Sequence, residues 1–393
     1  MRKRILMISY EEFNLHIGLN TRVKGLIKAM CEKGMSVELA VPCYSEENAS
    51  VREYYGAKIH HVMMKNVFDP ILIPIITRVF FVHYFNKSVL RYFKGKVLEF
   101  DLIQSEQMYP FSAGFKLAKQ LSAKVVLDDP TMLCYLVDDK LNKITLLNNL
   151  VKWFVSKYEY SVYKKADYVF CSSQKTADYM KSMFAISDVK VRYAPNGLDV
   201  SNFSLDEKKQ FTNKIFFNSS LPYYQNMAAL KNLYKILLDC RSKAILNFTI
   251  TVIINKQSFM PLNIKQNLED MSQVELLSAV DSLVPYIDKA DIVLLPYEKG
   301  HTLTAGSRLK AVEALGAGKL VLSTLEGVDG VIGVEDNINF MLCDDWKDMT
   351  EKLQNVLSGS LSDEKIKNIQ RNARRLVEEK YSWNKIVDVY SSV

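Results

Sequence analysis

The segment GSRLKAVEALGAGKLVLST spans residues 306–324 and decides the fold. It begins with a glycine and a serine, continues through a helical stretch that contains Arg308, Lys310 and Glu313, breaks at two glycines and ends in a short apolar strand. Ser307 is placed to cap the helix, so the turn before it presents free backbone N–H groups at the positive end of the helix dipole. Alternation of helix and strand along a chain is typical of parallel α/β architecture.

The same segment carries groups that suit one kind of ligand. The turn at Gly306 and Ser307, together with the cations Arg308 and Lys310, is a ready anion site. Glu313 follows Lys310 by three residues on the same helical face, where a carboxylate can accept two hydrogen bonds from a vicinal diol. A phosphate at the helix start and a sugar diol further along describe a nucleotide-sugar pocket. The alternative is a surface ion pair between Lys310 and Glu313, and helix physics alone leaves both interpretations open.

Length and composition bound the class of protein. A chain of 393 residues suits two domains, each able to bury its own core. A hydrophobic content of 48% with 24% charged residues indicates a soluble globular protein and argues against disorder. The net charge of +7 favours anionic ligands or an anionic surface, but the basic residues are spread out and form no known nucleic-acid module, so we expect no nucleic-acid partner.

The cysteines and the N-terminal residues indicate the cellular compartment of the protein. Six cysteines are scattered without a C-x-x-C pair, which argues against a zinc site and a disulfide scaffold and favours a reducing compartment. The opening MRKRILMISYEEF is expected to be a first strand and not a signal peptide. No apolar run reaches the length of a transmembrane helix. We therefore expect a cytoplasmic protein.

The stretch 71–98 leaves a choice between two environments. It contains no acidic residue, and its lysines and arginines alternate with phenylalanine and tyrosine. A basic, aromatic helix of this kind can lie on an anionic membrane with its lysines reaching the headgroups. Alternatively, its aromatic face packs on the core while the basic residues remain in water.

Apolar runs and helical patterns alternate along the chain, which predicts two doubly wound α/β domains. The cluster APNGLD at 194–199 is the best candidate for an interdomain hinge. The predicted domains are 1–200, 201–376 and a final helical segment, 377–393. The predicted strands lie at 4–9, 37–41, 58–63, 101–104, 124–127, 168–171, 189–193, 214–217, 248–253, 292–296 and 320–323. The principal predicted helices lie at 21–33, 146–164, 226–238, 307–315, 346–357, 363–381 and 383–390.

Several separate stretches match the pattern of one known family in the correct order. They are the loop, arginine and helix of 18–39, ADYVFCSSQ at 166–174, APNGLD at 194–199, KADIVLLPY at 289–297 with the segment 306–324, and YSW at 381–383. On these stretches the chain resembles family 4 of the glycosyltransferases over nearly its whole length.

The resemblance implies a fold and an activity. The fold is GT-B, with two Rossmann-like doubly wound domains that face a central cleft. The activity is transfer of a sugar from a nucleotide diphosphate donor, expected to be a UDP- or GDP-sugar, to a glycan or lipid-linked acceptor. Transfer proceeds with retention of configuration, with no metal ion and no cofactor beyond the donor. The first domain is the acceptor side, the second binds the nucleotide sugar, and the terminal helix crosses back to the first.

Carried over by position, the resemblance assigns roles to individual residues. The catalytic candidates are Arg308 and Lys310, which face the departing nucleotide diphosphate, and Asp128, which stands where the family often has a histidine near the transferred sugar. The donor-binding candidates are Gly18, Gly306, Ser307 and Glu313, of which Glu313 holds the ribose.

The chain also departs from the family pattern. The family often has a glutamate eight positions before the one that Glu313 matches, and here that position is Ala305. One interpretation of such departures is that the enzyme uses an altered donor. Another is that the chain is a non-catalytic partner subunit. A GT-B nucleotide-sugar epimerase is a further alternative. Because Arg308, Lys310 and Glu313 occur together, we expect an active transferase.

Overall fold

The structure is a computed structural model that describes residues 3–13, 18–64, 75–128, 145–204, 211–221, 224–299 and 308–393. The chain divides into two compact units. The first unit joins Met1–Gly197 to Trp383–Val393, and the second unit is Leu198–Ser382. The roles assigned to the predicted domains stay predictions.

The first unit contains an eight-stranded sheet in the order β3-β4-β2-β1-β5-β6-β7-β8. Neighbouring strands run parallel, except β3 and β4, which are antiparallel. The strands are β1 (Arg4–Ile8), β2 (Ser36–Cys43), β3 (Glu53–Tyr54), β4 (Ala57–Met63), β5 (Leu102–Glu106), β6 (Lys124–Asp128), β7 (Tyr168–Cys171) and β8 (Val191–Tyr193).

Both faces of this sheet are covered. In β1 the residues Ile5, Leu6, Met7 and Ile8 are all fully buried. Ile5 and Met7 belong to one core cluster, whereas Leu6 and Ile8 belong to another on the opposite face. Strands buried on both faces read as continuous apolar runs, which is why the sequence predicted this strand without alternation.

Five helices connect the strands of the first unit within the described ranges. They are α1 (Gly18–Glu32), α2 (Ile75–Phe93), α3 (Phe111–Leu121), α4 (Thr145–Lys165) and α5 (Gln174–Phe184). Helix α1 packs on the face that carries Ile5, and the other four share the core on the opposite face. In α2 the side chains of Phe81, Phe85 and Phe93 are buried in that core. Most of the described phenylalanines of the stretch 71–98 therefore pack on the protein, whereas Phe80 is 61% exposed.

The second unit contains a six-stranded parallel sheet in the order β11-β10-β9-β12-β13-β14. Its strands are β9 (Lys214–Ser220), β10 (Thr249–Asn255), β11 (Val274–Leu277), β12 (Ile292–Leu295), β13 (Leu320–Ser323) and β14 (Met341–Leu342). Its helices are α6 (Tyr224–Ser242), α7 (Leu262–Glu269), α8 (Val284–Lys289), α9 (Leu309–Gly316), α10 (Trp346–Leu357) and α11 (Asp363–Lys380). The predicted class, two parallel-sheet α/β domains, is confirmed.

The last helix, α12 (Trp383–Ser391), belongs to the first unit. Its Trp383 packs against two glycines: a Cβ on Gly25 would lie 2.1 Å from the indole, and a Cβ on Gly197 would lie 2.5 Å from it. Any side chain at either glycine would displace the ring. The glycine of the APNGLD cluster is therefore required by a close approach to Trp383.

The segment 306–324 differs from its prediction at the start of the helix. Helix α9 begins at Leu309, and its N-cap is Arg308, whose backbone is extended and whose side chain makes no capping bond. Gly306 and Ser307 lie outside the described residues. The strand at 320–323 is found as predicted. Of the helices that the structure describes, none has the length and apolar character needed to cross a membrane.

Candidate functional site

In the second unit, Arg308 and Lys310 lie beside strands β9 and β12 of the sheet. Lys310 Nζ donates to the carbonyl oxygen of Asn218 in β9 at 3.0 Å and to the hydroxyl oxygen of Tyr297 at 3.4 Å. Tyr297 follows the end of β12 by two residues. The guanidinium of Arg308 lies over the Tyr297 ring, 3.9 Å from its centroid. One aromatic side chain therefore contacts both predicted cations.

Further hydrogen bonds fix this group. Arg308 Nε donates to the carbonyl oxygen of Glu326 at 2.9 Å, and a terminal nitrogen donates to Gln225 Oε1 at 3.2 Å. The Tyr297 hydroxyl donates to Asn226 Oδ1 at 3.3 Å. Burial by itself raises the pKa of Tyr297, but the charges of Lys310 and Arg308 outweigh it and leave that pKa below its ordinary value. The two cations are thus close enough to act on the same group.

Glu313 lies one helical turn after Lys310 and is half-buried. Desolvation raises the pKa of its carboxyl group to about 7, although the nearby charge of Lys310 partly opposes this. Its carboxylate makes no hydrogen bond to any residue that the structure describes. A carboxylate removed from water normally has hydrogen-bond partners, so Glu313 has unused acceptor capacity next to the two cations.

In the first unit, Asp128 at the end of β6 is part of a buried ion pair. Its two carboxylate oxygens accept from Nε and a terminal nitrogen of Arg22, each at 2.9 Å, and one also accepts from the Tyr390 hydroxyl at 3.0 Å. Asp128 and Arg22 are both almost completely buried. The predicted contact of Asp128 with the transferred sugar stays a prediction. The structure also gives Asp128 an architectural role, because both of its oxygens accept hydrogen bonds from Arg22.

Arg22 connects this ion pair to the backbone at residues 194–195, just before the chain leaves the first unit. Its guanidinium also donates to the carbonyl oxygens of Ala194 and Pro195, each at 2.8 Å. Glu106 lies next to the pair, and its burial together with the charge of Asp128 raises the pKa of Glu106 well above its ordinary value. Burial and the neighbouring carboxylate of Asp128 therefore favour the neutral, protonated form of Glu106.

The structure brings three predicted site residues together and leaves others apart from them. Arg308, Lys310 and Glu313 form one group in the second unit. Gly18 is the first residue of α1 in the first unit, and Gly306 and Ser307 are not described. The roles of all these residues stay predictions. Within the described ranges, no group of three or more His, Cys, Asp or Glu residues is placed to hold a metal ion.

Sequence reasoning did not assign roles to Tyr297 or Arg22. Tyr297 ends the motif KADIVLLPY, so its place just after a strand was a usable signal for a ligand-facing residue. Arg22 lies in an amphipathic helix where a charged side chain is normally solvated, and its buried partners are distant in sequence.

Two family models match the chain. The model described as Glycosyltransferase Family 4 matches residues 17–202, and the model described as Glycosyl transferases group 1 matches residues 212–359. Together they account for most of the sequence. No curated protein matches the chain.

Several solved structures have a similar fold and match this chain over its whole length. Sucrose-phosphate synthase from Thermosynechococcus elongatus is 15% identical, with a TM-score of 0.74, and the match covers 100% of this chain and 98% of that one. HepE from Anabaena, in complex with UDP and glucose, is 13% identical, with a TM-score of 0.68 and 100% of both chains covered. A glycosyltransferase from Rickettsia africae is 13% identical, with a TM-score of 0.65, covering 100% of this chain and 97% of that one. These similarities confirm the predicted GT-B fold.

Proposed function

The chain is a glycosyltransferase and belongs to family 4, and from that premise we propose that it transfers a sugar from a nucleotide diphosphate donor to a glycan or glycolipid acceptor. In this proposal the transfer retains the anomeric configuration and requires no metal ion or further cofactor. The observation that carries the donor assignment is the group formed by Arg308, Lys310 and Glu313 in the second unit. Gly306, Ser307 and Gly18 are proposed to contact the donor phosphates.

Among the described residues, the two cations retain donors for a phosphate. Within those residues, Lys310 uses two of its three N–H donors, on Asn218 and Tyr297. Arg308 has five, and its contacts with Glu326 and Gln225 hold the guanidinium in one orientation. Donors that are fixed in advance stabilise charge that develops as the sugar–phosphate bond breaks, without reorganisation at that moment. We therefore assign Arg308 and Lys310 to the departing diphosphate.

Glu313 supplies the acceptor for the ribose. A carboxylate with no hydrogen bond among the described residues can accept from both hydroxyls of a vicinal diol. Those two bonds favour the ionised carboxylate, which desolvation by itself disfavours. Nucleotide binding is thereby expected to shift Glu313 towards its ionised form.

The donor and acceptor are proposed by class. A UDP- or GDP-sugar is the proposed donor, and the complex of HepE with UDP and glucose supports the uridine nucleotide. The acceptor is proposed to be a glycan or a lipid-linked sugar. Peripheral contact of residues 71–98 with an anionic membrane is kept as a proposal, supported by the absence of acidic residues from that stretch.

The test is thermal unfolding against UDP, GDP, ADP, dTDP and CMP, with and without magnesium. A nucleotide at one hundred times its dissociation constant stabilises the folded protein by about 2.7 kcal/mol. We expect a shift with UDP or GDP that is independent of magnesium and is lost in Glu313→Ala. The matched control is Glu351→Ala, an exposed glutamate in the same unit.

Product analysis completes the test. The stabilising nucleotide, supplied as its sugar derivative, should give transfer to an acceptor with the anomeric configuration unchanged. Inversion of configuration, or an isomerised nucleotide sugar formed without an acceptor, would contradict the proposed reaction. No response to any nucleotide would contradict the donor assignment.

A further inference from the structure

Helix α4 exposes an unusual number of aromatic side chains. Trp153 is 55% exposed, Phe154 59%, Tyr158 45% and Tyr160 41%. Large aromatic residues are rarely left in water together on a monomeric protein, and where they are, they mark an interaction surface. Helix α4 thus exposes four aromatic side chains, whereas in α2 Phe80 is 61% exposed and Phe81, Phe85 and Phe93 are buried.

Lysines are interleaved with these rings. Trp153, Lys157, Tyr160 and Lys164 follow a helical spacing of four, three and four residues and are all exposed. Lys157 Nζ lies 5.8 Å from the Trp153 ring centroid, and Lys164 Nζ lies 6.0 Å from that of Tyr160. The outer face of α4 therefore presents amphipathic rings and cations in alternation, a composition that suits a membrane–water interface.

The helices that share a core with α4 are also basic. Helices α2, α3 and α4 share one core. Their only acidic residue is Glu159, which is completely buried. Their basic residues are Arg78, Lys87, Arg91, Lys116, Lys119, Lys152, Lys157, Lys164 and Lys165. With nine basic residues and one acidic residue, these helices carry a net charge of +8, against +7 for the whole chain.

We propose that the exposed face of α4 docks on an anionic lipid surface. In this arrangement Trp153 and Phe154 enter the interface between headgroups and acyl chains, while Lys157 and Lys164 contact the lipid headgroups. The basic exterior of α2 and α3 adds attraction without insertion. Exposed aromatic rings distinguish this surface from a purely electrostatic site for a soluble polyanion. The proposal does not depend on the sugar transfer proposed above, because docking requires no donor.

Trp153 itself reports on the docking. It is the most exposed of the three tryptophans, since Trp383 is buried and Trp346 is partly buried. The full chain is titrated with vesicles of phosphatidylglycerol and phosphatidylcholine and, separately, with pure phosphatidylcholine vesicles. We expect a blue shift of tryptophan emission and co-sedimentation with the anionic vesicles only. The blue shift should be absent from Trp153→Phe, although that variant still sediments with the vesicles.

Two paired variants separate the charge from the rings. The double variant Lys157→Glu with Lys164→Glu should weaken anionic-vesicle binding at least about tenfold. Each cation near an anionic surface contributes to affinity, and each substitution reverses the charge. Trp153→Ser with Phe154→Ser should weaken it about tenfold and make the remainder strongly salt-dependent. The matched controls are Lys231→Glu with Lys256→Glu and Phe259→Ser, all exposed residues of the second unit.

Three outcomes would overturn the proposal. The first is equal binding to neutral and anionic vesicles by the wild-type chain. The second is unchanged binding by either paired variant of α4, or an equal loss in the matched controls. The third is an emission shift produced as strongly by single-stranded RNA as by vesicles, which would assign the surface to a nucleic acid.

Discussion

At the scale of single residues, Tyr297 links the two cations of the candidate donor site. Its ring supports the guanidinium of Arg308, and its hydroxyl accepts from Lys310 and donates to Asn226. Removing the hydroxyl leaves the ring in place beneath Arg308 and releases Lys310 and Asn226. Tyr297 is therefore a positioning residue whose effect can be separated from that of the cations.

Tyr297→Phe is expected to lower kcat/KM for transfer by about ten- to a hundredfold, because a hydrogen bond to a charged group contributes about 1.5–3 kcal/mol. The measurement is steady-state kinetics with a saturating acceptor. Tyr286→Phe, in the same unit and with its hydroxyl outside this group, is the control. Equal kinetics for wild type and Tyr297→Phe would show that the hydroxyl does not position Lys310 for catalysis.

Glu313 is expected to make stability depend on pH. Its pKa rises from an ordinary value of 4.5 to about 7 on folding, so the folded protein binds the proton more tightly than the unfolded chain does. The stability associated with the protonated carboxyl is fully present below pH 4.5 and is lost as the pH rises to 7. The loss is up to about 3 kcal/mol, since one pKa unit corresponds to about 1.4 kcal/mol.

The measurement is urea unfolding of wild type and Glu313→Gln between pH 4.5 and 8 without nucleotide. Glutamine imitates the neutral carboxyl, so the variant should be the more stable protein at pH 8, and the difference should shrink towards acid pH. A difference that is constant across this range would mean that the carboxyl group titrates normally in the folded protein.

At the scale of elements, Arg22 joins four parts of the first unit. It lies in α1, pairs with Asp128 at the end of β6, donates to the backbone at 194–195 and donates to the Tyr390 hydroxyl of α12 at 3.2 Å. One side chain therefore joins the backbone just before the chain leaves the first unit to the helix with which the chain returns. Leaving one partner of a buried ion pair unpaired costs about 3–5 kcal/mol.

Asp128→Asn tests this architectural role against the predicted contact with the sugar. If the carboxylate is needed for Arg22, the variant loses about 3–5 kcal/mol of unfolding free energy. Tyr390→Phe, which removes only the hydroxyl bonds, should lose about 1–3 kcal/mol. Both are measured by urea unfolding. An Asp128→Asn protein of full stability but much reduced turnover would instead support the catalytic assignment.

At the scale of the whole molecule, strongly patterned elements could be predicted from sequence and long-range contacts could not. The strands 168–171 and 320–323 and the helix 346–357 were predicted with the bounds that the structure has, because each is a compact apolar or amphipathic run between clear turns. Strands β3, β11 and β14 were missed because each is a short strand at the edge of its sheet.

In the candidate site, too, local groupings could be predicted from the sequence and long-range contacts could not. Arg308, Lys310 and Glu313 lie within six residues of one another, so helical spacing was enough to group them. Tyr297 joins them through the sheet, because β12 ends beside β9 and β13. The burial of Arg22 depends on Asp128 and Tyr390, which lie 106 and 368 residues away, and no local pattern encodes such a pairing.

The division into two units, each with its own core, leads to a prediction about nucleotide binding. All three proposed donor residues with described side chains, Arg308, Lys310 and Glu313, lie in the second unit. Hydrogen exchange should therefore slow in β9, β12 and α9 when the stabilising nucleotide is added, by up to about a hundredfold at one hundred times the dissociation constant.

The core strands β1, β2 and β5 of the first unit provide the internal control, and their exchange should be unchanged. Within the first unit, slower exchange at the start of α1 alone would fit the proposed contact of Gly18 with the donor phosphates. In Glu313→Ala the protection of the second unit should decrease at the same nucleotide concentration, because the ribose loses its acceptor. Protection that is strongest in β1, β2 and β5 would place the nucleotide in the first unit and contradict the donor site built on Arg308, Lys310 and Glu313.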